Sequence, residues 1–291
     1  MIRVPSLRVV VVSAALIAGG EARAQEVIAV LSDASRPYQA AFDSFQKEFG
    51  RPVAAFRLPG DEPSAGARTH VVVAFGGEAA SRPYPEGEDV IACLAPGLSG
   101  GVRRGRFASV DMNPSPDAML TRLRRIQPGL RRLAVLWSSA GMAAYLKDLE
   151  RVAATLGMEI VSVRADGPKG VPDALRNQRG KADALWLAPD PALVTPEAFQ
   201  TIKQFSWDNA VPFYAPTAGL VAAGAAGAVS VGDEEMGRQA AALVRRALSG
   251  ASLAETIYPA KTELTLNPES AAKAGLVFSP EILGEADRVV H

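Results

Sequence analysis

Short runs of β-branched residues that alternate with amphipathic helical stretches, twice over, constrain this chain more than any other feature. Glu26–Leu31 is a compact apolar run, and Pro37–Phe49 follows it with Phe42, Phe45 and Phe49 recurring at helical spacing. Ser32, Asp33 and Ser35 stand between the two as plausible helix caps. Further strands are expected at Val53–Phe56, Thr69–Phe75, Asp89–Leu94 and Ala108–Met112. After Pro114 the rhythm restarts. A helix over Ser115–Ile126, with Met119, Leu120, Leu123 and Ile126 on one face, leads to a strand at Leu133–Trp137 and a helix over Ala140–Leu156. Strands at Glu159–Arg164, Ala184–Leu187, Val211–Ala215 and Ala228–Val231 then alternate with helices at Val171–Arg179, Pro196–Asn209, Leu220–Gly224 and Glu234–Ser249. This alternation predicts α/β architecture with parallel sheets covered by helices on both faces. Two units of similar size without a flexible linker fit two Rossmann-like lobes better than one very large sheet.

The first residues read as a leader, not as part of the fold. Arg3 and Arg8 precede an apolar run from Val9 to Gly19, and Ala22-Arg23-Ala24 supplies the small residues of a cleavage site before Gln25. The run is too short to span a bilayer, and no cysteine at the junction offers a lipid attachment point. The expectation is a signal peptide over 1–24 and a periplasmic mature chain. Losing Arg3, Arg8 and Arg23 against Glu21 turns 31 basic and 31 acidic groups into 28 and 30, so the exported product is close to neutral. Neutrality gives no footprint for nucleic acid.

Composition also narrows the chemistry. One cysteine, Cys93, excludes an internal disulfide framework and cysteine-rich zinc modules. His70 and His291 are the only histidines, which starves general-base and metal-site chemistry. The reading is therefore not an enzyme, with no metal and no cofactor; a pair of catalytic carboxylates is left open. Cys93 reads as a buried thiol and His70 as a structural residue. Arg103, Arg104 and Arg106, and the stripe Arg122, Arg124, Arg125, Arg131 and Arg132, read as solvated faces.

Several stretches in fixed order carry a resemblance. They are Pro114-Ser-Pro-Asp-Ala-Met-Leu120, Gln127-Pro-Gly-Leu-Arg-Arg-Leu-Ala-Val-Leu-Trp137, Asp183-Ala-Leu-Trp-Leu-Ala-Pro-Asp190 and Val211-Pro-Phe-Tyr214. Val231-Gly-Asp-Glu-Glu-Met-Gly-Arg-Gln-Ala-Ala241, Leu248–Ala254, Thr262–Leu276, Pro280–Leu283 and Ala286–Val289 complete the set. From Pro114 onward the sequence resembles the periplasmic substrate-binding proteins of ABC transporters, in the type I group with tryptophan- and tyrosine-binding members. The resemblance implies a type I periplasmic-binding-protein architecture with crossovers at a hinge. Its first lobe would span 25–113 and be joined by a helix at 234–257; its second would span 114–231 and be joined by the segment 259–291. Crossovers are expected near Pro114, Val231–Gly232 and Tyr258–Lys261. The first lobe departs from the family pattern: it looks shortened between its second and third strands, and Val71–Phe75 runs into Gly76-Gly77-Glu78-Ala79-Ala80-Ser81 in place of a Thr-Pro-Ala-Ala-like loop.

Ligands of open parallel sheets bind beyond the carboxyl ends of strands, near helix N-termini. That rule selects Ser32, Ser35, Tyr38 and Gln39 after the first strand, and Gly76 and Gly77 after the third. The first group serves as caps, ligand contacts or both, and the glycines permit a tight turn or a close backbone approach. In the second lobe it selects Ser138 and Ser139, Asp190, Thr217 and Asp233. Capping explains Asp233 on spacing alone, while the resemblance adds a place at the cleft floor. It also makes Asp190 a pocket carboxylate.

Together these features predict an exported solute-binding protein, monomeric, that closes two lobes around a small molecule and presents it to an inner-membrane ABC permease. Amino-acid-like solutes, aromatic ones first, are the ligands that the resemblance implies, with other small organic solutes as alternatives. A sensor partnered with a signalling or outer-membrane system needs the same fold, and a hydrolase is the third reading. Intact-mass measurement of periplasmic material tests the leader: a mature chain beginning at Gln25 is expected, and a retained Met1 contradicts it.

Overall fold

The computed structural model describes residues 26–63, 69–96, 98 and 106–291. The leader, its cleavage site, Arg103 and Arg104 lie outside the described residues. Five strands open the first lobe in sequence: β1 (Val27–Leu31), β2 (Ala54–Arg57), β3 (Val71–Phe75), β4 (Asp89–Cys93) and β5 (Phe107–Val110). Helix α1 (Arg36–Phe49) follows β1, and a short α2 (Gly77–Ser81) follows β3. Between β2 and β3 no helix occurs among the described residues.

The second lobe begins with α3 (Pro116–Ile126) and β6 (Arg132–Trp137). A 3-10 turn at Ala140–Met142 feeds α4 (Ala143–Thr155), followed by β7 (Glu159–Arg164), α5 (Gly167–Arg176) and β8 (Ala184–Leu187). Next come α6 (Pro196–Asp208), β9 (Phe213–Tyr214), α7 (Ala218–Ala222), β10 (Gly227–Ser230) and α8 (Asp233–Leu248). The chain ends with β11 (Thr256–Ile257), β12 (Glu263–Leu266), α9 (Pro268–Lys273), α10 (Pro280–Gly284) and β13 (Arg288–Val289).

One sheet has the order β11-β5-β4-β3-β1-β2, and every pairing in it is parallel. The other runs β13-β12-β10-β9-β8-β6-β7, with β12 antiparallel to β10. The central strands β1, β3, β4 and β8 are buried along their whole length, as strands covered on both faces must be. In the first lobe α1 and α8 cover one face, around Phe42, Phe45, Phe75, Met236 and Val244, while α2 helps cover the other. In the second, α3, α4, α9 and α10 enclose one core, and α5, α6 and α7 the opposite one.

The chain passes between sheets three times: from β5 to α3, from β10 to α8, and from β11 to β12. Helix α8 therefore follows a strand of the second sheet yet packs on the first, against α1. Gly237 makes that packing close. A Cβ there would overlap the backbone carbonyl of Ala41, and backbone cannot move aside cheaply.

Several elements differ from the sequence reading. The helix expected over 234–257 stops at Leu248; Gly250 then takes a left-handed φ of 70°, and Thr256–Ile257 instead adds an edge strand beside β5. Helix α5 starts at Gly167, not Val171, because Pro168 occupies the first turn, where a missing N–H costs nothing. The strand expected over Val211–Ala215 shrinks to two residues, since Pro212 and Pro216 cannot donate to a ladder. Arg106, from the small basic cluster, pairs with Asp89 at 2.5 Å. On the α3 stripe Arg125 meets Glu281 and Glu285, and Arg132 lies 3.0 Å from Asp183.

Candidate functional site between the two lobes

All three crossovers leave from the carboxyl ends of strands, at Val110, Ser230 and Ile257. The carboxyl ends of the parallel strands in the two sheets consequently meet at the junction between the lobes. Helix N-termini gather there, and their caps share a property. Ser35, Gly76, Ser139, Asp166, Thr217 and Gly232, which introduce the helices closely following β1, β3, β6, β7, β9 and β10, make no side-chain capping bond. Ser115, Thr195, Asn267 and Ser279, at other helices, all do. Side chains from elsewhere fill some of these N-termini, Ser32 Oγ at α2 and Ser138 Oγ at α5, while α1 and α8 bring the positive ends of their dipoles to the junction without a side-chain cap.

In the first lobe Ser32, Tyr38 and Gly76 converge. Ser32 is buried, and its Oγ accepts a 2.9 Å bond from the Ala79 N–H, so it caps α2 from a distance in sequence. Gly76 sits at φ 102°, and a Cβ there would overlap Ser32 Oγ and the Tyr38 ring. Only glycine fits. Tyr38 is half-buried, and burial, then the carboxylates of Asp33 and Glu78, raises its phenol above the usual value. Gly77 opens α2 with free space around it. Ser35 is exposed, and its N–H donates to Asp33 Oδ1 at 2.6 Å. Gln39 is committed at both ends of its amide: Nε2 donates to Asp43 and Oε1 accepts from Arg57.

In the second lobe Ser138, Ser139 and Asp190 form one unit. Asp190 is 1% exposed. Its Oδ2 accepts from the N–H groups of Ser138 at 2.8 Å and Ser139 at 2.6 Å, and its Oδ1 from Ser139 Oγ at 2.5 Å and Ala192 N–H at 3.0 Å. Burial by itself would raise this carboxyl; the Ser139 hydroxyl and the three amides outweigh it and hold the group below the usual carboxylate range. Both oxygens are thus filled from within the protein. The pocket carboxylate expected here is corrected to a clamp that fixes the β6–α4 junction. Ser138 keeps its Oγ at the strand end, where it accepts only a long 3.4 Å bond from Gly167. Thr217 is exposed ahead of α7. Asp233 is the first residue of α8 and not its cap, a place held by Gly232, whose missing side chain leaves room for Glu263. Burial raises the Asp233 carboxyl and Arg36 opposes that shift.

A cavity of about 360 Å³ lies at the same junction, beside the first and third crossovers. Ala95, Pro96 and Thr256 wall it from the first lobe, and Met142, Tyr145 and Asp148 from the second. Asp111, Asn113 and Tyr258 line it from the crossovers themselves. Sequence reasoning missed these residues. A signal existed, because Asp111 directly follows β5 just before Pro114, where the strand-end rule applies as it does at Ser32.

The carboxyl-terminal part of the chain, residues 111–290, matches the model of the family described as ABC transporter substrate binding protein. The chain belongs to that family. It is thus a solute-binding protein that delivers its ligand to an ABC transporter, built on the type I fold. A search among curated protein sequences finds no match. Among solved structures, an ABC domain in complex with L-Trp from Streptococcus pneumonia is similar, with 15% identity, a TM-score of 0.63, and coverage of 91% of this chain and 100% of that one. The ligand-free, open structure of CD0873, a substrate binding protein with adhesive properties from Clostridium difficile, matches at 14% identity and a TM-score of 0.66, over 91% of this chain and 98% of that one. A putative LacI-family repressor from Corynebacterium glutamicum matches at 13% identity and a TM-score of 0.51, over 82% and 97%. At these identities the likenesses show the fold, and the family match carries the function.

The Asp190 clamp yields a measurable pH signature. Its folded pKa is depressed, so its contribution is fully present above the unfolded value of about 3.9 and is lost as pH falls through the lower folded value. Asp190→Asn should cost about 1–3 kcal/mol at pH 7, and the gap to the parent should close in acid. Thermal melts from pH 7 to pH 3 check this; a gap that ignores pH contradicts the clamp.

Proposed function

We propose that the chain binds a small amino-acid-like solute between its lobes, aromatic amino acids first, without performing chemistry on it. The observation that carries this reading is the meeting of strand ends from both sheets at a junction onto which α1 and α8 open without a side-chain cap. A carboxylate suits such helix N-termini. Ser32, Ser35, Tyr38, Gln39, Gly76 and Gly77 would shape the wall of the first lobe, with Tyr38 as the aromatic anchor and Gln39 and Ser32 acting through the bonds they already make. Ser138, Ser139, Thr217 and Asp233 would face them, with Asp190 holding the two serines in place. L-Trp in the pneumococcal relative supports the ligand class.

Contact with both lobes favours the closed form, since a ligand shifts the equilibrium by its differential affinity for the two states. In this reading the exported chain, residues 25–291, works as a monomer in the periplasm and docks on an inner-membrane permease. No helix among the described residues is long and apolar enough to cross a membrane.

A thermal-shift screen of residues 25–291 against small metabolites tests the reading. A solute at a hundred times its dissociation constant adds about 2.7 kcal/mol of stability, a rise of several degrees in the midpoint. Ser138→Ala and Asp233→Ala should each remove most of that rise and leave the unliganded midpoint nearly unchanged. If a binding solute stabilises both variants as it does the parent, the pocket lies elsewhere.

A further inference from the structure

The cavity beside the crossovers has a chemistry of its own. Three carboxylates line it, from Asp111, Asp148 and Glu255, and no described lysine or arginine does. Asp148 is already engaged: Arg151 lies 3.5 Å from it, and the Tyr258 hydroxyl donates to it. Asp111 has no such relief. Its Oδ1 accepts from the N–H and the Nδ2 of Asn113, both at 2.8 Å, and the Met112 N–H donates to the carboxylate as well, yet no cation faces it among the described residues. Burial accordingly pushes its carboxyl above the ordinary range despite those bonds.

A second, independent observation sits next to it. Asn113 is 5% exposed, and its Oδ1 has no hydrogen-bond partner among the described residues. A buried acceptor without a donor forfeits its hydration with nothing in return and is uncommon in a folded protein. The aromatic wall fits the same occupant. Tyr258 and Tyr145 meet edge to face at 5.9 Å between centroids, and both line the cavity. The Tyr145 hydroxyl is spent on the Pro114 carbonyl, so its contribution here is its ring. An uncompensated carboxylate, an orphaned carbonyl oxygen and tyrosine rings in one enclosed space describe the surroundings of an organic ammonium group. A bare metal ion is a poorer fit, because no group of three metal-ligating side chains occurs among the described residues.

We propose that this cavity receives the ammonium group of the transported solute, held by Asp111 and Asn113 against Tyr258, so that the protein selects amines and amino acids over acids that lack nitrogen. This inference rests on the solute-binding reading and names the end of the solute that the strand-end residues leave unmatched. Asp190 is filled internally and Asp233 has Arg36 nearby, whereas Asp111, bonded to Asn113, has no cationic side chain beside it among the described residues. Walls from both lobes mean that a solute seated here also holds the lobes together.

Calorimetry on residues 25–291 at pH 7 tests it with two matched sets: tryptophan, tryptamine and indole-3-propionate, and leucine, isoamylamine and 4-methylpentanoate. Binding is expected only from members that carry an ammonium group. Asp111→Asn should weaken that binding by about tenfold to a hundredfold, the equivalent of one lost charge-assisted hydrogen bond. Its unliganded midpoint should match or exceed the parent's, because an unpaired buried charge has been removed. Asn113→Leu gives a second variant with the same expected loss. The proposal is overturned if an acid without nitrogen binds as well as its amine, if both variants bind ammonium solutes as the parent does, or if no ammonium member binds. A solute without nitrogen that binds and raises the midpoint would remove this inference while keeping the solute-binding reading. Silence across the wider metabolite screen would remove both.

Discussion

Three passages of the chain between the sheets set the terms for everything else. Each leaves from a strand's carboxyl end, so the polar N-termini of the following helices are brought to the junction of the lobes. The second passage delivers α8 from β10 onto the first lobe, where Gly237 lets it lie directly on the backbone of Ala41. The third returns β12 to pair antiparallel with β10. Neither lobe is continuous in sequence, and neither can leave without unpicking the other. What remains free is rotation about the passages, and a site at the junction is the part of the molecule that such a rotation opens and shuts.

The electrostatics of the junction divide its carboxylates by what they already hold. Asp190 accepts four bonds and stabilises a loop geometry. Asp233 has Arg36 nearby. Among the described residues Asp111 accepts from its own short turn, faces two tyrosines and carries a burial cost that no cation relieves. In a binding protein such a cost is useful when the ligand removes it, since the same group then discriminates between solutes and helps to drive closure.

The alternation of strand and helix was legible because apolar periodicity reports burial directly: Phe42 and Phe45 face the core for the reason that their spacing predicts. Short elements were not. Phe213–Tyr214 pairs between two strands whose register the sequence does not display, and Thr256–Ile257 becomes a strand only because β5 offers an open edge. Side-chain roles were legible by position and not by partner. Residue order places Ser138, Ser139 and Asp190 at strand ends, but the spatial neighbour that saturates Asp190 lies 51 residues away. Asp111 escaped notice for the converse reason: Asn113 looks like an ordinary turn residue until its burial and its orphaned oxygen are seen together.

The central claim is that ligand contact and lobe closure are one event. Spin labels at Glu78→Cys on α2 of the first lobe and Glu197→Cys on α6 of the second would report it, because both sites are exposed and Cys93, fully buried, does not compete for label. Double electron–electron resonance with and without a solute that raises the thermal midpoint should show a shorter and narrower distance distribution in its presence. A solute that binds at saturation and leaves the distribution unchanged would contradict the account.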